Sequence, residues 1–238
     1  MIIEGAISVK AAITNHNRTV KTVYINREKK TKDFNYIRKI TKANNIELVE
    51  CDNEQLMSIA TGKTFGGVLA DVTSRINNDF CDSDIFYLDG IEDPFNLGYA
   101  MRTLYAFGIK NVLLSNRDYS NMESQLLKSS AGAYDMLNIK VSEDDINEIR
   151  SCKDNGYHIY GLYRGDNSKD IFETKFNSKS LFILGGEKRG IKTELLNMCD
   201  EYLYISYGSD FRNALNACGA LDVVATLLFA QRKRWLLL

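Results

Sequence analysis

Three segments place amide, glycine and charged residues directly after apolar runs: DPFNLGYAMR at 93–102, LFILGGEKRG at 181–190 and YISYGSDFRNALN at 204–216. In the first, Asn96 can cap a helix that carries Arg102 near its second turn. An amide and a guanidinium on one helix suit an anionic or hydroxyl-bearing substrate. Taken alone, the same residues also fit an ordinary N-cap and a surface ion pair.

The second segment is an apolar run, 181–184, that leads into Gly185 and Gly186. Glycines at the carboxyl end of a strand let a ligand approach the backbone, and open α/β sheets bind their ligands at that edge. A phosphate loop is the alternative. However, Ile191 stands before Lys192 and shifts the lysine out of the register that holds phosphate. A phosphate-loop NTPase is therefore the less favoured reading.

The third segment places Gly208 and a polar loop after the apolar run 203–205. Asn216 then enters the final helix, which we expect to begin near Asn213. The Asn216 amide can cap that helix, donate to a ligand or hold the loop in place.

The elements around these segments predict an α/β protein with two parts. Residues 4–72 alternate short apolar runs with amphipathic stretches, which is typical of a compact α/β module. We expect an N-terminal domain over 1–74, a polar linker over 75–82 and a larger domain over 83–238. Alternating strands and helices in the larger domain predict a mostly parallel sheet with helices on both faces. Its predicted strands are 85–88, 112–114, 158–162, 181–184 and 202–205.

Composition restricts the class of protein. With 45% hydrophobic and 26% charged residues, the 238-residue chain has the balance of a globular protein. Its five cysteines are far apart and form no CxxC pair, so we expect free thiols in a reducing cytoplasm and no metal site. No apolar run approaches the roughly 20 residues that cross a bilayer, so no membrane association is expected.

Positive charge is concentrated at the N-terminus. The net charge is −1, but the first 50 residues hold ten Lys/Arg against five Asp/Glu. Such a cluster fits a surface that meets phosphates, and a solvated helix face is the alternative. The candidate RNA-binding residues are Arg27, Lys29, Lys30, Lys32, Arg38 and Lys39, with Lys42 beside them.

In order and spacing, the three segments together with KSSAGAYD at 128–135 resemble the SpoU/TrmH family of RNA ribose 2′-O-methyltransferases, within the SPOUT superfamily. The resemblance covers the whole chain, because EGAISVKAAI and FGGVLADV look like the family's N-terminal RNA-binding module. It implies a deep trefoil knot in the C-terminal domain, a homodimer formed through that domain, and S-adenosylmethionine bound by the knot loops.

Carried onto matching positions, the resemblance implies catalytic roles for Asn96, Arg102, Glu187 and Asn216. The cofactor-binding residues that it implies are Leu184, Gly185, Gly186, Gly190, Ile205, Ala214 and Leu215. One position departs from the family pattern, since Ala214 stands where the family usually has a serine. The loop before it is also one residue longer than the pattern, and Ser206 or Ser209 could supply the missing hydroxyl.

The resemblance therefore implies an enzyme that transfers the methyl group of S-adenosylmethionine to a ribose 2′-hydroxyl of structured rRNA or tRNA. The alternative, motivated by Ala214, is an RNA-binding protein of the same fold with weakened catalysis. Arg102 is better suited to clamping phosphate than to accepting a proton, because a guanidinium is essentially always protonated.

Overall fold

The computed structural model describes residues 1–62, 64–186 and 189–235. These residues divide into two compact units. Met1–Ile76 and Asp118–Met136 form the first unit, and Asn77–Arg117 and the chain from Leu137 onward form the second. None of the helices in the described ranges has the length and apolar character needed to span a membrane.

The first unit is a small α/β module, as predicted. Its four strands form a sheet in the order β1-β4-β2-β3, in which β2 and β3 are parallel and the other pairs are antiparallel. The sequence interpretation missed the short first strand. The elements are β1 (Ile2–Glu4), α1 (Ala6–Asn15), β2 (Val20–Asn26), α2 (Lys32–Ala43), β3 (Glu47–Cys51), α3 (Asn53–Ile59), β4 (Val68–Val72) and α5 (Glu123–Ser129).

A buried ionic cluster joins distant parts of the first unit. The Arg18 side chain is 0% exposed, and its Nε and Nη1 atoms lie 2.9 Å from Asp135 and 2.7 Å from Glu123. A buried guanidinium is stable only where carboxylates compensate its charge, so this cluster fixes residues 118–136 against the N-terminal chain. The sequence interpretation had placed that segment in the C-terminal domain, and the domain limits 1–74, 75–82 and 83–238 stay a prediction.

The second unit is built on a seven-stranded sheet in the order β7-β6-β5-β10-β8-β11-β9, and every pair of neighbours is parallel. This confirms the predicted parallel sheet, although β7 and β9 were not predicted. The strands are β5 (Ile85–Leu88), β6 (Asn111–Leu114), β7 (Asn138–Val141), β8 (His158–Leu162), β9 (Lys169–Asp170), β10 (Ser180–Leu184) and β11 (Glu201–Tyr204). The helices are α4 (Pro94–Ala106), α6 (Asp145–Asp154), α7 (Thr193–Leu196) and α8 (Ala217–Trp235).

Helices cover both faces of this sheet. On one face, Ile149 of α6 and Leu195 of α7 pack in one cluster with Ile85, Tyr87 and Ile183 of the central strands. Successive strand residues point to opposite faces, so the residues between them form the second layer. Each buried side chain of this size contributes about 1.5–3 kcal/mol to folding.

The second layer is aromatic next to the sheet and helical outside it. The ring centroids of Phe86 and Phe182 are 5.1 Å apart, and Tyr160 stacks on Phe182 at 5.2 Å. Helices α4 and α8 pack against each other. Near the end of α8, Arg232 forms an ion pair of 2.7 Å with Asp84, just before β5, which fixes the direction of that helix.

The segment predicted as a linker makes several hydrogen bonds to the second unit. Asn78 N–H donates to the Ile139 carbonyl over 3.0 Å, and the Asn77 side-chain oxygen accepts from Val141 N–H over 3.1 Å. The Asn111 amide donates to the Cys81 carbonyl over 2.7 Å. From residue 77 onward the segment is therefore held along the edge of the sheet.

Candidate active site

The three motif segments meet at one edge of the seven-stranded sheet. They follow β5, β10 and β11, and these strands lie close together because β5 pairs with β10 and only β8 separates β10 from β11. In a parallel sheet all carboxyl ends lie at the same edge, which is where ligands bind in open α/β folds.

Two glycines of the second motif allow the backbone to pass very close to other backbone segments. A Cβ atom on Gly185 would lie 2.1 Å from the carbonyl carbon of Gly190. One on Gly186 would lie 2.4 Å from the Gly90 oxygen, just before the first motif. The Gly190 N–H also donates to the Gly186 oxygen over 3.0 Å. A side chain at Gly185 or Gly186 would therefore push main-chain segments apart.

A cleft of about 310 Å³ opens beside these glycines. All seven residues that the resemblance assigned to the cofactor line it: Leu184, Gly185, Gly186, Gly190, Ile205, Ala214 and Leu215. They come from two segments that are about 15 residues or more apart in sequence, so the fold brings them together. Their binding role stays a prediction.

The cleft also contains residues that the sequence interpretation missed. Tyr163 and Arg164 follow β8, and Tyr207 and Arg212 belong to the third motif loop. Strand β8 was predicted, so a search of every strand's carboxyl end would have found the first two. Nothing in the spacing of the other two indicated a lining role.

The first motif needs a correction at the start of its helix. Asp93, not Asn96, is the N-cap of α4, because its carboxylate accepts from the backbone N–H of Phe95 (2.9 Å) and of Asn96 (2.8 Å). Pro94 then occupies the first turn, where its missing N–H costs nothing. Asn96 lies one turn into the helix, and its carbonyl accepts from the Cys218 thiol over 3.2 Å. The first turns of α4 and α8 are therefore in contact.

The two candidate side chains on α4 are available to a ligand. Arg102 is exposed, and its guanidinium makes no hydrogen bond or ion pair with the part of the chain that the structure describes. The Asn96 amide group likewise has no side-chain partner there. Glu187, the remaining acidic candidate, lies outside the described residues.

Asn216 is the cap of the final helix. Its side-chain oxygen accepts from Gly219 N–H over 2.7 Å, and its carbonyl accepts from Ala220 N–H over 3.0 Å. The helix therefore begins at Ala217 rather than near Asn213, because the apolar residues before the cap belong to the loop. Of the three uses that its amide could have, the structure shows capping.

The missing hydroxyl beside Ala214 has a neighbour that the sequence did not indicate. The Tyr207 hydroxyl accepts from Leu215 N–H over 3.1 Å, and both residues line the cleft together with Ala214. The Ser209 hydroxyl instead accepts from Phe211 N–H over 3.4 Å. Tyr207 is thus the hydroxyl-bearing residue that braces the third motif loop at this point.

A lysine between two carboxylates holds the end of the second motif. Lys192 Nζ lies 2.8 Å from Asp145 and 3.7 Å from Asp89. Burial raises the pKa of Asp89, and the negative charge of Asp145 adds to the effect, although Lys192 opposes it. The hydrogen bond from Asp145 raises the pKa of Lys192. Lys192 is therefore engaged by carboxylates and precedes a helix of only four residues, which argues against a phosphate loop.

The basic residues of the first unit fall into two groups. Arg27 donates to Gln55 over 3.0 Å, Arg38 to Glu50 over 2.8 Å, and Lys29 to the Gly66 carbonyl over 2.8 Å. These three cations are already engaged within the unit.

The other predicted basic residues are open to solvent. Lys30, Lys32 and Lys39 are exposed, and their ammonium groups have no partner among the described residues. Lys32, Tyr36 and Lys39 recur at spacings of four and three along α2, so they share one face of the helix. Tyr36 is 48% exposed, which adds an aromatic ring to that basic face.

Comparison with known families decides what kind of protein has this arrangement. The model of the SpoU rRNA methylase family matches residues 84–226, more than half of the chain. This chain belongs to the SpoU rRNA methylase family. The model of a second family, described as RNA 2′-O ribose methyltransferase substrate binding, matches residues 2–76 of the same SpoU-family chain. The predicted family and the predicted RNA methyltransferase activity are thereby confirmed.

Individual SpoU relatives resemble the chain over different lengths. A protein of Staphylococcus saprophyticus, named for the TrmH family of tRNA/rRNA methyltransferases, is 28% identical over 98% of this chain and 96% of its own length. The mitochondrial rRNA methyltransferase 1 of Schizosaccharomyces pombe is 30% identical, and the match covers 58% of this chain and 48% of that protein.

A solved structure shares the fold over nearly the whole chain. The SpoU methyltransferase AviRb from Streptomyces viridochromogenes, in complex with AdoMet, superimposes with a TM-score of 0.76 at 16% identity. The match covers 98% of this chain and 90% of that one. At this identity the likeness supports the fold, an N-terminal module followed by a parallel-sheet domain.

Proposed function

We propose that this SpoU-family enzyme transfers the methyl group of S-adenosylmethionine to a ribose 2′-hydroxyl of structured rRNA or tRNA. One observation carries the proposal for the site. All seven residues that the motifs assigned to the cofactor line a single cleft at the carboxyl edge of the parallel sheet. The substrate-binding family matched at the N-terminus and the AdoMet complex of AviRb support the same chemistry.

The cleft has the character that an adenosine-containing cofactor needs. Its volume of about 310 Å³ falls within the range of roughly 300–1,000 Å³ that is usual for small-molecule sites. Leu184, Ile205 and Leu215 supply apolar walls, while Gly185 and Gly186 leave main-chain groups uncovered by side chains. These residues would hold the cofactor, which supplies an electrophilic sulfonium methyl group.

The side chains of α4 would serve the RNA. Arg102 is exposed and unpaired among the described residues, so its guanidinium can clamp a phosphate. A cation at that position also favours the ionised form of a nearby hydroxyl, whereas a guanidinium does not itself accept the proton. Asn96 would orient the ribose, and Asn216 would act indirectly by fixing the start of α8. We assign Glu187 to the organisation of the same site.

The decisive experiment compares two exposed arginines of the second unit. Arg102→Ala should abolish methyl transfer to RNA while cofactor affinity in calorimetric titration stays unchanged. Arg150 makes only a hydrogen bond of 2.8 Å to Asn147 on α6, so Arg150→Ala is the matched control and should keep full activity. Full activity of Arg102→Ala would refute the role of Arg102.

Oligomeric state and location are further proposals. We propose that the enzyme works as a homodimer through its C-terminal domain. Support comes from Phe95 and Tyr99, each 52% exposed and one turn apart on α4. The trefoil knot is proposed on the resemblance together with the close backbone passage at Gly185 and Gly186. Cytoplasmic work is proposed because the five cysteines are all free.

A protein of this fold with weakened catalysis remains the second candidate, because Ala214 lacks a hydroxyl. The bond from Leu215 N–H to the Tyr207 hydroxyl, beside Ala214, favours an active enzyme. Calorimetric titration separates the two candidates. Absence of S-adenosylmethionine binding at cellular concentrations would support the non-catalytic protein.

A further inference from the structure

A row of aromatic and guanidinium groups runs along the mouth of the cleft. The Arg164 guanidinium lies 5.9 Å from the ring centre of Tyr204 and 5.2 Å from that of Tyr207. The Tyr207 ring in turn lies 6.0 Å from the ring of Phe211. These four residues, Tyr204, Arg164, Tyr207 and Phe211, are called the rim row below.

The outer end of the rim row is open to solvent. Phe211 is 52% exposed, although a phenylalanine of a globular protein is ordinarily buried. Arg164 and the neighbouring Arg212 are also exposed, and neither forms an ion pair with a described carboxylate. The row therefore presents flat apolar faces together with uncompensated positive charge.

The position of Phe211 indicates which ligand reaches it. Arg164, Tyr207 and Arg212 line the cleft, so a cofactor in the cleft can touch them. Phe211 is absent from the cleft lining and lies beyond Tyr207. A group that stacks on Phe211 must therefore come from a molecule outside the cleft.

The chemistry of the rim row fits one ligand in particular. Aromatic faces stack on nucleobases, and free guanidinium groups bind phosphates and stack on bases as well. In a duplex the base faces are covered by their neighbours, so only an unpaired nucleotide offers a free face. A single-stranded stretch of RNA supplies both the base face and the phosphate charge.

We propose that the rim row binds an unpaired base of the RNA substrate, beside the nucleotide that is methylated. The inference rests on the proposed function and narrows the substrate to RNA whose target region is a loop, a bulge or another unpaired segment. Arg164 holds Tyr207 in place from one side, and Phe211 provides the terminal stacking face.

The test uses substitutions at Phe211, which is exposed and lies outside the cleft lining. Phe211→Leu keeps an apolar side chain of similar size but removes the ring face, whereas Phe211→Tyr keeps the ring. The probe is a mixed-sequence single-stranded RNA 12-mer that contains 2-aminopurine, free or annealed to its complement. Fluorescence anisotropy measures its affinity, and 2-aminopurine quenching reports stacking.

We expect Phe211→Leu to weaken binding of the single strand roughly tenfold and to remove the quenching, since stacking of one base is worth about that much. Phe211→Tyr should behave like the unmodified enzyme. Binding of the duplex and of S-adenosylmethionine should be the same in all three proteins.

Two results would overturn the inference while leaving the proposed function intact. One is an enzyme that methylates rRNA or tRNA and whose Phe211→Leu variant binds and quenches the single strand normally. The other is a change of oligomeric mass in Phe211→Leu on sedimentation, which would assign Phe211 to a contact between two copies of the chain. If the unmodified enzyme binds S-adenosylmethionine but methylates no RNA, the proposed function and this inference both fail.

Discussion

The glycine pair of the second motif should tolerate no side chain. In Gly185→Ala the new Cβ would lie 2.1 Å from the Gly190 carbonyl carbon, about 1.3 Å closer than the 3.4 Å at which ordinary contact begins. Its neighbours are main-chain atoms that cannot rotate away, so the strands or the loop must shift. Overpacking of this kind typically costs 1–3 kcal/mol and occasionally more, and we expect about 3 kcal/mol.

The measurement is thermal and urea unfolding of three alanine variants. For a unit of this size, about 3 kcal/mol corresponds to a fall in Tm of roughly 6–12 °C. Gly190→Ala meets no neighbour within 4 Å but has a φ of 64°, so its strain should cost about 1–2 kcal/mol. Gly208→Ala meets no neighbour and has no positive φ, so it is the control, expected within about 0.5 kcal/mol.

The comparison is clean because all three substitutions reduce the entropy of the unfolded chain equally. Cofactor affinity should follow the same order, since Gly185 and Gly190 line the cleft. If Gly185→Ala unfolded at the same temperature as Gly208→Ala and bound the cofactor normally, the close backbone passage would not be a constraint on this fold.

Three further predictions concern the first unit. Arg18→Met leaves the buried carboxylates of Asp135 and Glu123 without their cation and should lower the free energy of unfolding by about 3–5 kcal/mol in urea; a loss below about 1 kcal/mol would contradict it. Burial raises the pKa of Glu4, but hydrogen bonds from Lys128 and the Gly62 backbone outweigh it, so the pKa is lowered overall. A carboxylate with a lowered folded-state pKa stabilises the protein above its unfolded pKa, and this contribution is lost as the pH falls through the folded pKa. The destabilisation by Glu4→Gln, measured in urea, should therefore be largest near neutral pH and disappear at about pH 3, and a constant difference would refute it. Finally, Lys32→Glu with Lys39→Glu should lower the salt dependence of RNA binding by roughly one unit of slope per lost phosphate contact, whereas Lys21→Glu on β2 should not; an unchanged slope would leave this face as merely solvated.

The sequence allowed prediction of features whose signal is local. Apolar runs followed by glycine located β5, β10 and β11, and the common direction of parallel strands was enough to place the motifs at one edge. The start of α4 was misassigned because Asp93 and Asn96 are both good caps, and only the fold shows which one the helix uses. The same ambiguity moved the start of α8 from Asn213 to the residue after Asn216.

Features that depend on distant contacts could not be predicted from local pattern. Arg18 and Asp135 are 117 residues apart in sequence, and neither shows in its surroundings that it would be buried with the other. The contact of Tyr207 with Leu215 depends on the path of an irregular loop, for which periodicity carries no information. The short strands β7 and β9 likewise lacked a sufficient apolar run.

The assignment of residues 118–136 to the first unit affects how these enzymes can be divided by truncation or recombination. A fragment that ends at residue 76 would retain Arg18 but lose Asp135 and Glu123, so it would bury a cation without counter-charge. A catalytic fragment that starts at residue 77 would carry a segment whose packing partners are gone. Exchange of substrate-binding modules between members of the family should therefore succeed only when both stretches of chain are exchanged together.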